Sequence, residues 1–122
     1  MTGFLDVIVS ILEVLLAVLF VFVGSTKAFQ PVEKLEPKMA WVKDFTPRTV
    51  KLVGWAELLG GAGLVLPGIV GLWDLQFAAQ ICLAVLMVGA AVWHFRHNDA
   101  KGAIPSIVLT VLLVLLASYM VF

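Results

Sequence analysis

Cysteine occurs once in this chain, at Cys82, histidine twice, and charged residues make up only 13% of it. A single cysteine forms no disulfide within the chain and no Cys-x-x-Cys redox centre. The paired-thiol chemistry of four-helix membrane thiol oxidoreductases is therefore excluded, and Cys82 is expected to pack as a small core residue. No Ser-His-Asp set, phosphate-binding glycine loop or nucleotide fingerprint occurs. Gly60-Gly61-Ala62-Gly63 lies inside an apolar stretch and reads as helix packing. Lys and Arg are absent from the N-terminal segment, from the segment around Pro67–Gly71 and from the C-terminal segment.

What is present is apolar surface. The chain is 62% hydrophobic, against about 45–50% for ordinary globular proteins, which also carry about 25% charge. A helix crossing the hydrocarbon core needs about 20 apolar residues. Four stretches qualify, Phe4–Val23, Thr49–Leu66, Leu72–Trp93 and Ile104–Phe122. They predict an all-α, four-transmembrane-helix bundle filling residues 1–122 as a single membrane domain. The first stretch contains Asp6 and Glu13 and has neither a basic start nor a small-residue cleavage pattern, so it is expected to be retained as a span.

All eight basic residues, Lys27, Lys34, Lys38, Lys43, Arg48, Lys51, Arg96 and Lys101, fall in or beside the first and third connections. Basic residues stay on the cytoplasmic side. Both termini are thus expected outside and loops 1–2 and 3–4 in the cytoplasm, and the cytoplasmic membrane of a bacterium is the expected location. Glu33, Glu36, Asp44 and Asp99 dilute the basic charge, which argues against nucleic-acid binding. In the first connection Met39, Val42 and Phe45 recur at helical spacing opposite Lys38 and Lys43, and Pro37 suits a helix start. This pattern predicts a short cytoplasmic amphipathic segment between helices 1 and 2, with Trp41 near the headgroups. A folded-back loop is the alternative. Pro105 is expected in the first turn of the last helix.

Acidic residues inside spanning segments are costly and usually face the bundle interior. Counted from the outer ends of their spans, Glu13 and Glu57 fall near the same depth, where the two carboxyls could face each other. Asp6, Ser10, Glu13 and Ala17 share a face of the first span, and Gly54, Glu57 and Gly61 share one of the second. Gln76 with Gln80, and Ser106 with Thr110, give the last two spans polar stripes. Two readings stand: a hydrogen-bonded set that fixes helix registry, or a proton-responsive or headgroup-binding pocket. His94 and His97, three residues apart, are weak metal candidates because no further ligand stands beside them.

Three segments carry a resemblance. They are Gly24-Ser25-Thr26-Lys27-Ala28-Phe29, the run from Gly54-Trp55-Ala56-Glu57 through Leu58-Leu59-Gly60-Gly61-Ala62-Gly63-Leu64-Val65-Leu66-Pro67, and Met87-Val88-Gly89-Ala90-Ala91-Val92-Trp93-His94. In order and spacing they resemble the DoxX-like family of small four-helix membrane proteins. The resemblance implies Lys27 and Glu57 as motif positions and Gly24 and Gly61 as packing positions. It further implies roles such as a membrane subunit of thiosulfate:quinone oxidoreductase, a partner of redox-stress enzymes, or a membrane chaperone for receptor assembly.

The leading expectation is an accessory or scaffold subunit for a membrane or peripheral protein partner. It has no intrinsic cofactor and is open to a bound quinone or lipid. Lys27 is a candidate anchor for a quinone oxygen or lipid phosphate, against the simpler reading of a snorkelling lysine. The alternative is a proton-coupled small-molecule transporter using Glu13 and Glu57. In its four spans and its Glu in the first, the chain is similar to the small multidrug resistance exporters. Its charge bias opposes dual insertion, however, and its first connection is long. An enzyme acting alone ranks last. Ligand and proton candidates are Glu13, Glu57, Lys27 and Gln80. Packing candidates are Gly24, Gly54, Gly60, Gly61 and Gly63. A bundle this small could also form homo-oligomers.

Overall fold

The computed structural model describes residues 3–121. Phe122, the last residue of the expected fourth span, lies outside the described residues. The described chain is helical and has no strand. It comprises α1 (Phe4–Phe29), α2 (Val32–Leu35), a 3-10 turn (Ala40–Asp44), α3 (Pro47–Gly63), α4 (Leu66–Ile69), α5 (Trp73–Arg96) and α6 (Ala100–Val121). Four helices are long and apolar enough to cross a membrane: α1, α3 continued by α4, α5 and α6. Outward-facing Leu15, Val18 and Phe22 are each more than half exposed, as lipid-facing residues of a spanning helix would be.

Local chemistry explains the helix ends. Asp6 accepts the Gly3 amide at the start of α1, 3.1 Å away. Thr46 caps α3 by accepting the Thr49 amide at 3.2 Å, and Pro47 follows at the first helical position. Asp99 caps α6 through the Gly102 amide at 3.0 Å. That cap starts α6 earlier than expected from Pro105, which lies inside the helix rather than in its first turn. Proline at position 67 supplies no amide, so α3 breaks after Gly63 and one further turn, α4, completes the span.

α1 packs chiefly on α3, α5 packs on α6, and α3 bridges the pairs through α5. The close approach of α1 and α3 depends on glycine. A Cβ on Gly24 would lie 2.7 Å from the Gly54 carbonyl oxygen, and one on Gly54 would lie 2.5 Å from the Ala28 amide nitrogen. Gly61 faces Ala17 and Phe20 on the same seam, whereas Gly60 and Gly63 turn toward Leu83 and Ala79 of α5. The main core joins Leu16, Phe20, Leu64, Leu83, Met87 and Leu113.

The first connection folds back over its own small core of Leu35, Val42 and Val50. It forms two separate turns rather than one amphipathic helix from Pro37. Val42 is buried while Phe45 is 43% exposed, so the expected apolar stripe is split. Cys82 is exposed on α5, not in the core as expected from its size.

Candidate functional site

The close seam between α1 and α3 sets the depth of every polar group along it. Gly54 lies against Lys27 and Ala28, and Gly61 against Ala17 and Phe20. Glu57, between those contacts, is therefore level with Gly24. Glu13 lies eleven residues earlier in α1, about 16 Å along the axis at about 1.5 Å per residue. The two carboxyls do not face each other. Counting from span ends failed because the register is fixed by the small-residue contact and α1 runs on to Phe29.

Glu57 instead meets Lys27. The Lys27 Nζ donates to Glu57 Oε1 at 2.5 Å, with side chains 10% and 2% exposed. The reading of Lys27 as a snorkelling lysine is overturned: its ammonium turns inward to the buried Glu57 carboxylate, which pairs with no other cation among the described residues. The same ammonium lies 5.1 Å from the centre of the Trp41 ring, a cation–π arrangement. Lys27, Glu57, Trp41, Phe45, Trp93 and His94 contribute to the wall of a cleft of about 270 Å³, which Val53 and Met87 also line.

The first connection is fastened over this cleft. Asp44 Oδ2 accepts from Trp93 Nε1 at 2.7 Å and stands 3.0 Å from His97 Nε2. The His97 ring stacks on Trp93 at 4.1 Å between centres. His94 turns elsewhere, with Nδ1 2.9 Å from Asp99 Oδ2. The two imidazoles thus serve different carboxylates and do not converge. The His94 hydrogen bond, helped by the Gly102 amide, holds the Asp99 carboxyl below its ordinary range. At the end of α1, Lys51 Nζ donates to the Gln30 carbonyl. The sequence reading missed Trp41 and Trp93 as cleft elements and Asp44 as the group that bonds Trp93. Their only signal was aromatic residues beside charges at an expected interface.

Glu13 belongs to a second place in the fold. Gln80 Nε2, from α5, donates to Glu13 Oε1 at 2.9 Å. One helical turn away, Gln76 Nε2 donates at 2.6 Å to the Leu64 carbonyl, exposed by the break between α3 and α4. Asp6, Ser10, Glu13, Gln76, Trp73 and Tyr119 stand around a cleft of about 420 Å³. Asp6 and Tyr119 share it, so the start of α1 and the end of α6 lie at one end of the bundle, opposite Lys27.

Four apolar helices, with a charged pair and a carboxylate–amide pair buried between them, define a four-helix integral membrane protein. The chain belongs to the DoxX-like family, whose model matches residues 11–116. No curated protein and no solved structure matches it.

Proposed function

We propose that this DoxX-like protein is a membrane accessory subunit whose Lys27–Glu57 cleft holds a quinone-type carbonyl headgroup for a redox partner. The basic end of the bundle, with this cleft, faces the cytoplasm in this reading, following the eight-to-zero charge bias. The observation that carries it is a buried ammonium on the wall of an aromatic-lined cleft. Lysine has three donors. Glu57 takes one, which leaves donors for a ligand carbonyl oxygen. Trp41 and Trp93 offer faces to a planar ring, and the apolar wall suits an isoprenoid or alkyl tail.

The test uses the purified protein in phosphatidylcholine nanodiscs titrated with decylubiquinone, read by quenching of tryptophan fluorescence. Lys27→Met should weaken binding by about tenfold or more, as expected for losing a hydrogen bond from a charged donor. Gly89→Leu is a second variant that keeps the ion pair. Gly89 lines the cleft and a Cβ there meets nothing within 4 Å, so a leucine would fill the ligand's space without disturbing the seam. Equal binding in the wild type and both variants would refute the site. Extraction from native membrane in mild detergent, with mass spectrometry of what co-purifies, tests the accessory role. A stoichiometric oxidoreductase is the expected result, and recovery of the bundle alone contradicts it.

A further inference from the structure

The 3-10 turn of the first connection forms a strap whose Trp41 lines the Lys27–Glu57 cleft, as does Phe45 just after it. Two different kinds of contact hold it. Toward α3 it is anchored by apolar packing, with Val42 only 1% exposed in the small core of Leu35 and Val50. Toward α5 it is held by one side chain. Asp44 Oδ2 meets Trp93 Nε1 and His97 Nε2, and among the described residues no other hydrogen bond or ion pair joins the first connection to α5.

His97 stands between two acceptors. Its Nε2 is 3.0 Å from the Asp44 carboxylate, and its Nδ1 is 2.8 Å from the Trp93 backbone carbonyl oxygen. A neutral imidazole donates from one ring nitrogen only, so in either tautomer a lone pair would face an oxygen. The imidazolium, with two N–H groups, makes both bonds. Turning the ring over would put carbon atoms at both places. The Trp93 ring, stacked 4.1 Å away, adds cation–π attraction for the charged form. The remaining charged groups nearby are exposed or engaged elsewhere. Lys43 of the strap, Arg96 of α5 and Lys101 of α6 are exposed. His94 pairs with Asp99, which also accepts the Gly102 amide.

We propose that His97 is a proton-operated latch on this strap. As imidazolium it ties Asp44 to α5 and keeps the cleft covered. On losing its proton it releases that tie and shifts the strap toward an open position. Histidine changes charge between about pH 5 and 8. The covered state binds the proton, so it is favoured at the acid end of that range and lost as pH rises. The latch operates whichever ligand the cleft takes.

The test uses the full-length protein, isotope-labelled at tryptophan, in phosphatidylcholine nanodiscs between about pH 5 and 8. Relaxation of the Trp41 and Trp93 indole protons by a soluble gadolinium chelate reads the opening, with signals assigned by Trp41→Phe and Trp93→Phe. The open-to-covered ratio should rise about two- to fivefold across the range, as fits an exposed ion pair. His97→Phe keeps a stacking ring without donors and should be open at every pH. His97→Arg keeps a cation that stacks on aromatic faces and should stay covered at every pH. The His97 side chain is 48% exposed, so neither change disturbs the core. Asp44→Asn should also abolish the step, whereas His94→Gln should keep it. A flat wild-type profile, or a step that survives in His97→Phe or is lost in His94→Gln, would overturn the latch. So would a Trp93 signal that titrates while Trp41 stays constant, because the ring would then change charge without moving the strap.

Discussion

The two clefts contain one buried glutamate each, and they differ in what that glutamate touches. Glu57 is neutralised by an ammonium 2.5 Å away, and the pair keeps donors to spare. Glu13 meets a neutral amide, and Gln80 Oε1 is left without a hydrogen-bond partner among the described residues. An intramembrane acid is thus not one kind of signal. Its partner decides whether the carboxyl sits in a charge-balanced pair or is held by a neutral amide.

Breaking the balanced pair should have the largest effect. Lys27→Met leaves Glu57 as a buried charge without its partner, a loss of about 3–5 kcal/mol. Adding Glu57→Met should restore much of it, because replacing both ions by apolar groups of similar volume is often close to neutral. Thermal unfolding of the wild type, Lys27→Met and the double variant in nanodiscs checks this, and equal instability of single and double variants would contradict it.

The seam that separates the two sites comes next. Gly54→Ala places a methyl 2.5 Å from the Ala28 backbone nitrogen, which cannot yield as a flexible side chain would. Overpacking of this kind costs about 1–3 kcal/mol. A stability unchanged from wild type would mean that α1 and α3 do not approach as described.

Smaller still is the effect expected at the Glu13–Gln80 pair. Gln80→Leu removes one hydrogen bond to a carboxylate but also removes an unpaired carbonyl, so the two changes partly offset. The net loss should be about 1 kcal/mol, taking the bond as about 1.5–3 kcal/mol and the unpaired group as about 1–3 kcal/mol. A loss as large as that of Lys27→Met would erase the contrast between the clefts.

The smallest effect lies outside both, in the loop joining α5 and α6. The Asp99 carboxyl is held below its ordinary range by His94 and the Gly102 amide. A depressed carboxyl contributes stability above the ordinary aspartate range and loses it as pH falls through the folded-state value. Stability measured on the acid side should therefore decline less steeply in Asp99→Asn than in the wild type. Identical acid limbs would show that this carboxyl does not contribute.

Much of the fold was legible because long apolar runs have few solutions. Four stretches of the right length, and glycines grouped on faces, gave the bundle and its close seam. Span ends were less legible. Phe29 and Arg96 extend their helices beyond the apolar runs, since a helix continues for as long as backbone bonding and caps allow. The site was half legible. Gln80, Glu13, Lys27 and Glu57 were visible as polar residues in apolar surroundings, but their pairing was not. Pairing follows from interhelical register, which Gly24 and Gly54 fix by contact and which hydropathy does not encode. The Asp44–Trp93–His97 fastening joins residues about 50 apart in sequence and had no periodic signature.

The most direct test is dipolar-recoupling NMR in lipid bilayers, measuring contacts between side-chain nitrogens and carboxyl carbons. The account predicts a close contact from Lys27 Nζ to the Glu57 carboxyl, and another from Gln80 Nε2 to the Glu13 carboxyl, with none between Lys27 and Glu13. A short distance between the Glu13 and Glu57 carboxyls, or Lys27 free of Glu57, would contradict two separate sites.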